Sequence, residues 1–132
     1  MKPAATVPRI NRDRLWADLM ALGEIGFTEG RGVTRTALSE ADLAGKEWLA
    51  RRFREAGLEV RTDAAYNVMG RLPSGTSGAG LVAMGSHLDT VPQGGKFDGM
   101  LGVLAALECV RTIREEGIAL PWNLEIINFT DE

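Results

Sequence analysis

Two short stretches hold the side chains in this sequence that could do chemistry. The only histidine, His87, stands two positions before Asp89 and eleven before Asp98, within the run MGSHLDTVPQGGKFDGMLGV from Met84 to Val103. The chain then reaches the acidic pair Asp131 and Glu132 after a second apolar stretch. In an extended segment, side chains two apart leave the same face, so His87 and Asp89 can converge. An imidazole beside a carboxylate has two chemical readings. It is a metal ligand whose tautomer is fixed by the acid, or a base held by its orienting acid. Taken alone, the His-x-Asp pattern is more often just a satisfied polar pair. Pro92, Gly94 and Gly95 force a loop after Asp89, and Asp98 opens a segment that reads as a helix, where a carboxylate is electrostatically favoured. Such a loop can fold Asp98 back toward His87.

The neighbouring elements decide whether these residues meet. Gly80–Met84 is a short apolar run bounded by glycine, the pattern of a strand buried on both faces, and it delivers His87 to the strand's carboxyl end. Asp98–Glu116 reads as a helix with Leu101, Leu104, Leu107, Val110 and Ile113 on its apolar face and Gly117 as stop signal. Gly99, Gly102, Ala105 and Ala106 leave one side of that helix slim enough for close approach to a sheet. Leu124–Phe129 reads as a second buried strand. Strand, helix, strand is a crossover unit, so the two strands are expected to be parallel and near neighbours. In an open α/β sheet the ligand crevice lies outside the carboxyl ends of the strands. That rim would gather His87, Asp89, Asp98 and the acidic pair. A zinc ion takes nitrogen, sulfur and carboxylate ligands and, in a hydrolytic site, about three of them with an open water position. His87, Asp98 and one acid of the pair make a partial set, and a spare carboxylate could act as base. One histidine is too few for a complete dinuclear centre.

Upstream, Asn11–Ile25 reads as a helix with Leu15, Leu19 and Leu22 in a stripe and Trp16 beside them. The glycine-rich run between Gly26 and Thr36 reads as a loop, where Arg35 either binds an anionic substrate or is simply solvated. Ser39 with Asp42 three residues later marks a helix start, and Gly57 its end. Leu43, Trp48, Leu49 and Phe53 would face inward, and Lys46, Arg51, Arg52, Arg54 and Glu55 would form a solvated face. Leu58–Arg61 and Asn67–Leu72 are strand candidates. The PSGTSGAG connection lacks the lysine and hydroxyl of a phosphate-binding loop.

Composition sets broad limits. The 132 residues are one domain's worth of chain, 45% hydrophobic and 25% charged, as in ordinary soluble proteins. A net charge of -3 with scattered arginines gives no footprint for nucleic acid. The single cysteine, Cys109, cannot form an internal disulfide, which favours a reducing, cytoplasmic compartment, and it reads as a small core residue. The first ten residues lack the apolar run of a signal peptide, and no segment reaches membrane-spanning length because Glu108 interrupts the longest helical apolar stretch.

The run GSHLDTVPQGGKFDGMLGVLAALE, with LEIINFTDE after it and GVTRTALSEADLAGKEWLARRFREAGLEV before it, closely resembles one family. These are the zinc-dependent amidohydrolases that include N-carbamoyl-L-amino-acid hydrolases, β-ureidopropionases and allantoate amidohydrolases, relatives of the co-catalytic metallo-aminopeptidases. The resemblance spans about Leu15 to Glu132. It implies an α/β fold, a partial aminopeptidase-like catalytic domain with a mainly parallel sheet flanked by helices. Residues 1–132 would be its amino-terminal part, without the smaller domain that dimerises and closes over substrate. It implies two divalent metal ions, zinc with manganese, cobalt or nickel as alternatives. His87 would be a metal ligand, Asp98 the carboxylate bridging both ions, Asp89 the acid supporting the histidine and Glu132 the general base. The metal-binding glutamate of the family would be the residue after Glu132, and further ligands would lie downstream. Tyr66 stands where relatives usually carry glycine.

Three functions compete on this basis. The first is a truncated hydrolase of linear amide or ureido C–N bonds, most naturally an N-carbamoyl-L-amino-acid amidohydrolase. It would act on a small N-carbamoyl substrate, as a cytoplasmic homodimer in full length, with no nucleic-acid or membrane partner. The second is a non-catalytic fragment or one half of a split protein. The third is an allantoate, β-ureidopropionate or related peptidase or deacylase activity. The isolated chain is expected to be inactive and to bind zinc weakly.

Overall fold

The computed structural model describes residues 7–132. The absence of a signal peptide inferred from the first ten residues therefore rests partly on positions outside the described ones. In chain order the elements are helix α1 (Arg12–Gly23), strands β1 (Phe27–Thr28) and β2 (Gly32–Val33), helix α2 (Glu40–Glu55), strands β3 (Glu59–Thr62), β4 (Val68–Leu72) and β5 (Leu81–His87), helix α3 (Met100–Glu115) and strand β6 (Asn123–Phe129).

Local chemistry sets the helix ends. Asn11 accepts the Arg14 amide to start α1. Ser39 Oγ accepts the Asp42 amide while Asp42 Oδ2 accepts the Leu38 amide, so α2 begins with two donors satisfied reciprocally. It ends on Gly57 at φ +75°, where the Leu58 amide returns to the Phe53 carbonyl and the Gly57 amide to Arg54. Gly57 adopts this left-handed turn without the Cβ penalty other residues meet there.

β1 and β2 form a small antiparallel hairpin inside the stretch expected to be a loop. The main sheet has the order β3-β4-β6-β5. β3–β4 and β4–β6 are antiparallel and β5–β6 is parallel. The fold is α/β as expected, and its sheet is mixed rather than mainly parallel, because β4 enters between β3 and β6 running against both. β5 and β6 are adjacent and parallel, as the crossover unit implied. β5, expected to be buried on both faces, is instead an edge strand, with Leu81 and Val82 more than 40% exposed.

All three helices meet in one core. Leu19 and Leu22 of α1, Leu49 and Phe53 of α2, and Val103, Leu104, Leu107 and Val110 of α3 join Val68, Leu124 and Ile126 of the sheet. Phe53 lies over Gly70, where a Cβ would meet the aromatic ring at 2.5 Å. Fully burying each such side chain contributes about 1.5–3 kcal/mol. The slim side of α3 lies against β5 as expected: a Cβ on Gly102 would come within 2.8 Å of the Ser86 Cβ.

Several side chains depart from the periodic reading. Lys46, placed on the solvated face, is buried and bonds Asp42, the Tyr66 carbonyl and Thr130 Oγ1. Leu43, Leu101 and Trp16 are exposed, as is Cys109, which was expected in the core. Glu108 does interrupt the apolar run, and it is fully buried because Arg14 of α1 grips both its oxygens at 2.8 Å and the Asn11 amide adds a third bond at 2.9 Å. No helix among the described residues is long and apolar enough to cross a membrane.

Candidate active site

The parallel pairing of β5 and β6 sets His87 opposite Phe129 at the carboxyl ends of both strands. The two chains leaving this rim are the ones with reactive residues. After β5 come Leu88, Asp89 and Thr90, all buried; after β6 come Thr130, Asp131 and Glu132. Asp131 adopts φ +66°, and Glu132 beyond it turns its amide toward Asp89 Oδ2 at 3.4 Å. Thr130 is fixed on both sides: its amide donates to Asn67 Oδ1 at 2.8 Å, and its hydroxyl takes a 2.5 Å bond from Lys46 Nζ.

His87 is mostly covered, with about 15% of its side chain exposed. Its Nδ1 lies 2.9 Å from the main-chain oxygen of Asp89 and 3.9 Å from the Asp89 carboxylate. A carbonyl oxygen only accepts, so Nδ1 carries the proton and Nε2 of the neutral ring keeps its lone pair. The acid next to the histidine thus orients it through its backbone, while its carboxylate faces the Glu132 amide. Asp89 Oδ1 is buried and has no hydrogen-bond partner.

The loop from Leu88 to Asp98 returns to the rim because it lies along β2 and the residue after it. Val33 and Gly94 exchange two main-chain bonds, and the Thr34 hydroxyl accepts the Gln93 amide at 3.0 Å. Gly32 makes that approach feasible, since a Cβ there would meet the Gly94 oxygen at 2.6 Å. The loop ends at Gly99, the residue preceding α3, whose backbone lies against the His87 ring. Asp98, one residue earlier, is exposed, and its carbonyl accepts the Met100 amide at 2.7 Å. The amino terminus of α3 begins beside this rim at Gly99, and its positive dipole end favours carboxylates there.

His87, Asp89 and the Glu132 backbone are therefore in one place, with Asp98 on the adjoining turn. Among the described residues no three His, Cys, Asp or Glu side chains converge on a point able to hold a metal ion. The donors present nevertheless suit a divalent ion in type: a bare imidazole nitrogen, an exposed carboxylate at a helix start, and a buried carboxylate oxygen with no partner.

Arg35 is the residue that sequence reasoning misjudged. It neither faces solvent nor is free for an anionic substrate, being fully buried with Nε and Nη1 committed to main-chain oxygens and Nη2 to the Met100 sulfur. Burial pushes its pKa down, opposed by the charges of Asp42 and Asp89. Asn67, Thr90 and Thr130, which frame the rim, also escaped notice; the one local cue near them is the Asp42–Lys46 pair at helical i, i+4 spacing.

No family model matches the chain. An N-carbamoyl-L-amino acid amidohydrolase from Geobacillus stearothermophilus is 46% identical over 123 residues, which are 93% of this chain and 30% of that protein. A hydantoinase/carbamoylase family amidase from Burkholderia ambifaria superposes with a TM-score of 0.91 at 42% identity, over 95% of this chain and 31% of that one. The aminopeptidase PepT from Bacillus cereus has a TM-score of 0.73 at 21% identity over 90% of this chain and 36% of its own, a likeness of fold alone. The chain spans about 30% of the length of the curated relatives it matches. In sequence and in fold, it is similar over that shared portion to the N-carbamoyl-L-amino-acid amidohydrolases and the hydantoinase/carbamoylase amidases.

Proposed function

We propose that this chain contributes part of the active site of a divalent-metal hydrolase that opens linear amide or ureido C–N bonds, with N-carbamoyl-L-amino acids as substrates. The observation that carries the reading is the His87 ring at the rim of β5 and β6, with Nδ1 committed to the Asp89 carbonyl and the Nε2 lone pair left free. The similarity to a carbamoyl-amino-acid amidohydrolase supplies the substrate class.

In this reading His87 and Asp98 would hold metal, Asp98 offering two carboxylate oxygens. A bound divalent ion, zinc or a neighbour such as manganese, cobalt or nickel, supplies charge stabilisation at the carbonyl oxygen and makes water a better nucleophile near neutral pH. Further ligands complete the set, since a catalytic zinc takes about three from protein. Glu132 accepts the proton of the attacking water and returns it to the leaving nitrogen. Asp89 orients His87 through its carbonyl and braces the Glu132 backbone through its carboxylate. Water and the N-carbamoyl amino acid give the amino acid, carbon dioxide and ammonia. A cytoplasmic, homodimeric enzyme completes the proposal.

The test is a chimera in which this chain replaces the matching stretch of the Geobacillus stearothermophilus relative. The chimera should hydrolyse N-carbamoyl-L-amino acids when supplied with metal, and Glu132→Gln should lower kcat by about 10²–10⁴-fold, the usual contribution of a general base. A folded, metal-loaded and active chimera indifferent to Glu132→Gln would refute the assignment. Parallel assays with allantoate, 3-ureidopropionate and dipeptides decide the substrate class.

A further inference from the structure

Among the described residues Arg35 is the largest fully buried side chain, and its bonds connect two segments far apart in sequence. Nη1 donates to the carbonyls of Leu22 at 3.0 Å and Ile25 at 2.8 Å, at the carboxyl end of α1. Nε donates to the Leu88 carbonyl at 2.8 Å, between His87 and Asp89. Its main chain continues the link: the Arg35 amide donates to Thr90 Oγ1 at 2.9 Å, and the Thr90 amide donates back to the Arg35 carbonyl at 2.8 Å. Helix α1 has no basic residue in its last turn, so the carbonyls at its carboxyl end take their cation from the loop instead. A planar fork with several fixed donors serves both directions at once. Gly45 of α2 makes room for it, since a Cβ there would lie 3.1 Å from Arg35 Cδ.

We propose that Arg35 is a positioning residue for His87: by bolting residues 88–90 to the end of α1, it holds the Asp89 carbonyl where it accepts the Nδ1–H hydrogen bond and leaves Nε2 without a proton. The consequence for the ring tautomer stands on geometry alone. The consequence for metal affinity rests on the metal-hydrolase reading above.

His87 is the only histidine, so the ring nitrogens of the 15N-labelled chain give one unambiguous set of NMR signals. The wild type should show the Nδ1–H tautomer. Arg35→Met should shift the ring toward a mixture with Nε2–H and weaken the binding of zinc alone about 10–100-fold, the range for groups that orient a metal ligand. Arg14→Met, which disturbs a different buried pair, should lower stability and leave the tautomer unchanged. A folded Arg35→Met protein with the wild-type tautomer overturns the proposal, as does a tautomer shift of equal size in Arg14→Met. If Arg35→Met does not fold, the wild type still decides: Arg35 Nε–H should exchange with water far more slowly than that of exposed Arg12, and equal exchange rates overturn the proposal. A tautomer shift without loss of zinc affinity keeps the clamp and removes the metal reading.

Discussion

Gly99 lies so close to His87 that a Cβ built on it would come within 2.5 Å of both ring nitrogens. Its φ of +69° is also left-handed, so two independent constraints require glycine at the start of α3. The contact places the residue after Asp98 directly against the His87 ring. Gly99→Ala should cost about 2–4 kcal/mol, combining left-handed backbone strain with overpacking. Urea denaturation measures the loss, and the His87 ring signals should move with it. A stability loss below about 0.5 kcal/mol with unmoved ring signals would mean that the close approach does not hold in solution.

Glu108 and Arg14 tie α3 to α1 across the core. Burial alone would raise the Glu108 pKa, but hydrogen bonds from Arg14 and the Asn11 amide, with the charges of Arg14 and Arg111, outweigh it and hold the carboxyl below the usual glutamate range. The Arg14 pKa is raised, chiefly by its hydrogen bonds to Glu108 and Glu115. A carboxyl depressed in the folded state stabilises the protein above its unfolded pKa, and that contribution is lost as pH falls through the folded value. Stability should therefore drop on the acid side, and Glu108→Gln should flatten that limb of the stability–pH curve. Arg14→Met leaves a buried carboxylate with weaker partners and should cost about 3 kcal/mol at neutral pH.

Tyr66 has φ +64°, the conformation for which glycine is favoured, and the resemblance of this sequence to its family places glycine there. Its ring is about half exposed, so little packing is lost on removal. The strain of a left-handed tyrosine, about 1–2 kcal/mol, exceeds the entropy cost of glycine, about 0.5–1 kcal/mol. Tyr66→Gly should raise the stability by up to about 1 kcal/mol in thermal or denaturant unfolding. A destabilisation would show that the aromatic ring contributes more than its exposure suggests.

What could be read directly from the residues follows a physical division. The Ser39 cap and the Gly57 stop are local signals written in neighbouring residues, and so were the apolar runs of β5, α3 and β6 that define the crossover. The insertion of β4 between β3 and β6 is a long-range pairing with no local signature. Arg35 sits in a polar, glycine-rich segment that looks solvated, and the carbonyls that bury it are 10, 13 and 53 residues away. At the rim, the spacing of His87 and Asp89 brought both to one place. It could not show that the backbone carbonyl, rather than the carboxylate, accepts the Nδ1–H hydrogen bond.

β5 has one strand neighbour, and Leu81 and Phe129 are each more than 40% exposed on the rim and edge of the sheet. An open strand edge with exposed apolar side chains favours association. Leu81→Lys should reduce concentration-dependent self-association in sedimentation velocity while changing stability by no more than about 0.5 kcal/mol. Unchanged association would place the contact elsewhere on the molecule.

The central claim is that Nε2 of His87 is the nitrogen that meets a metal ion. Adding zinc to the 15N-labelled chain and following the two ring nitrogens tests it most directly. The expected result is a zinc-dependent shift of Nε2 with Nδ1 still protonated, weakened by Asp98→Asn. Zinc that leaves Nε2 unmoved at every concentration, or that displaces the proton from Nδ1, would contradict the account.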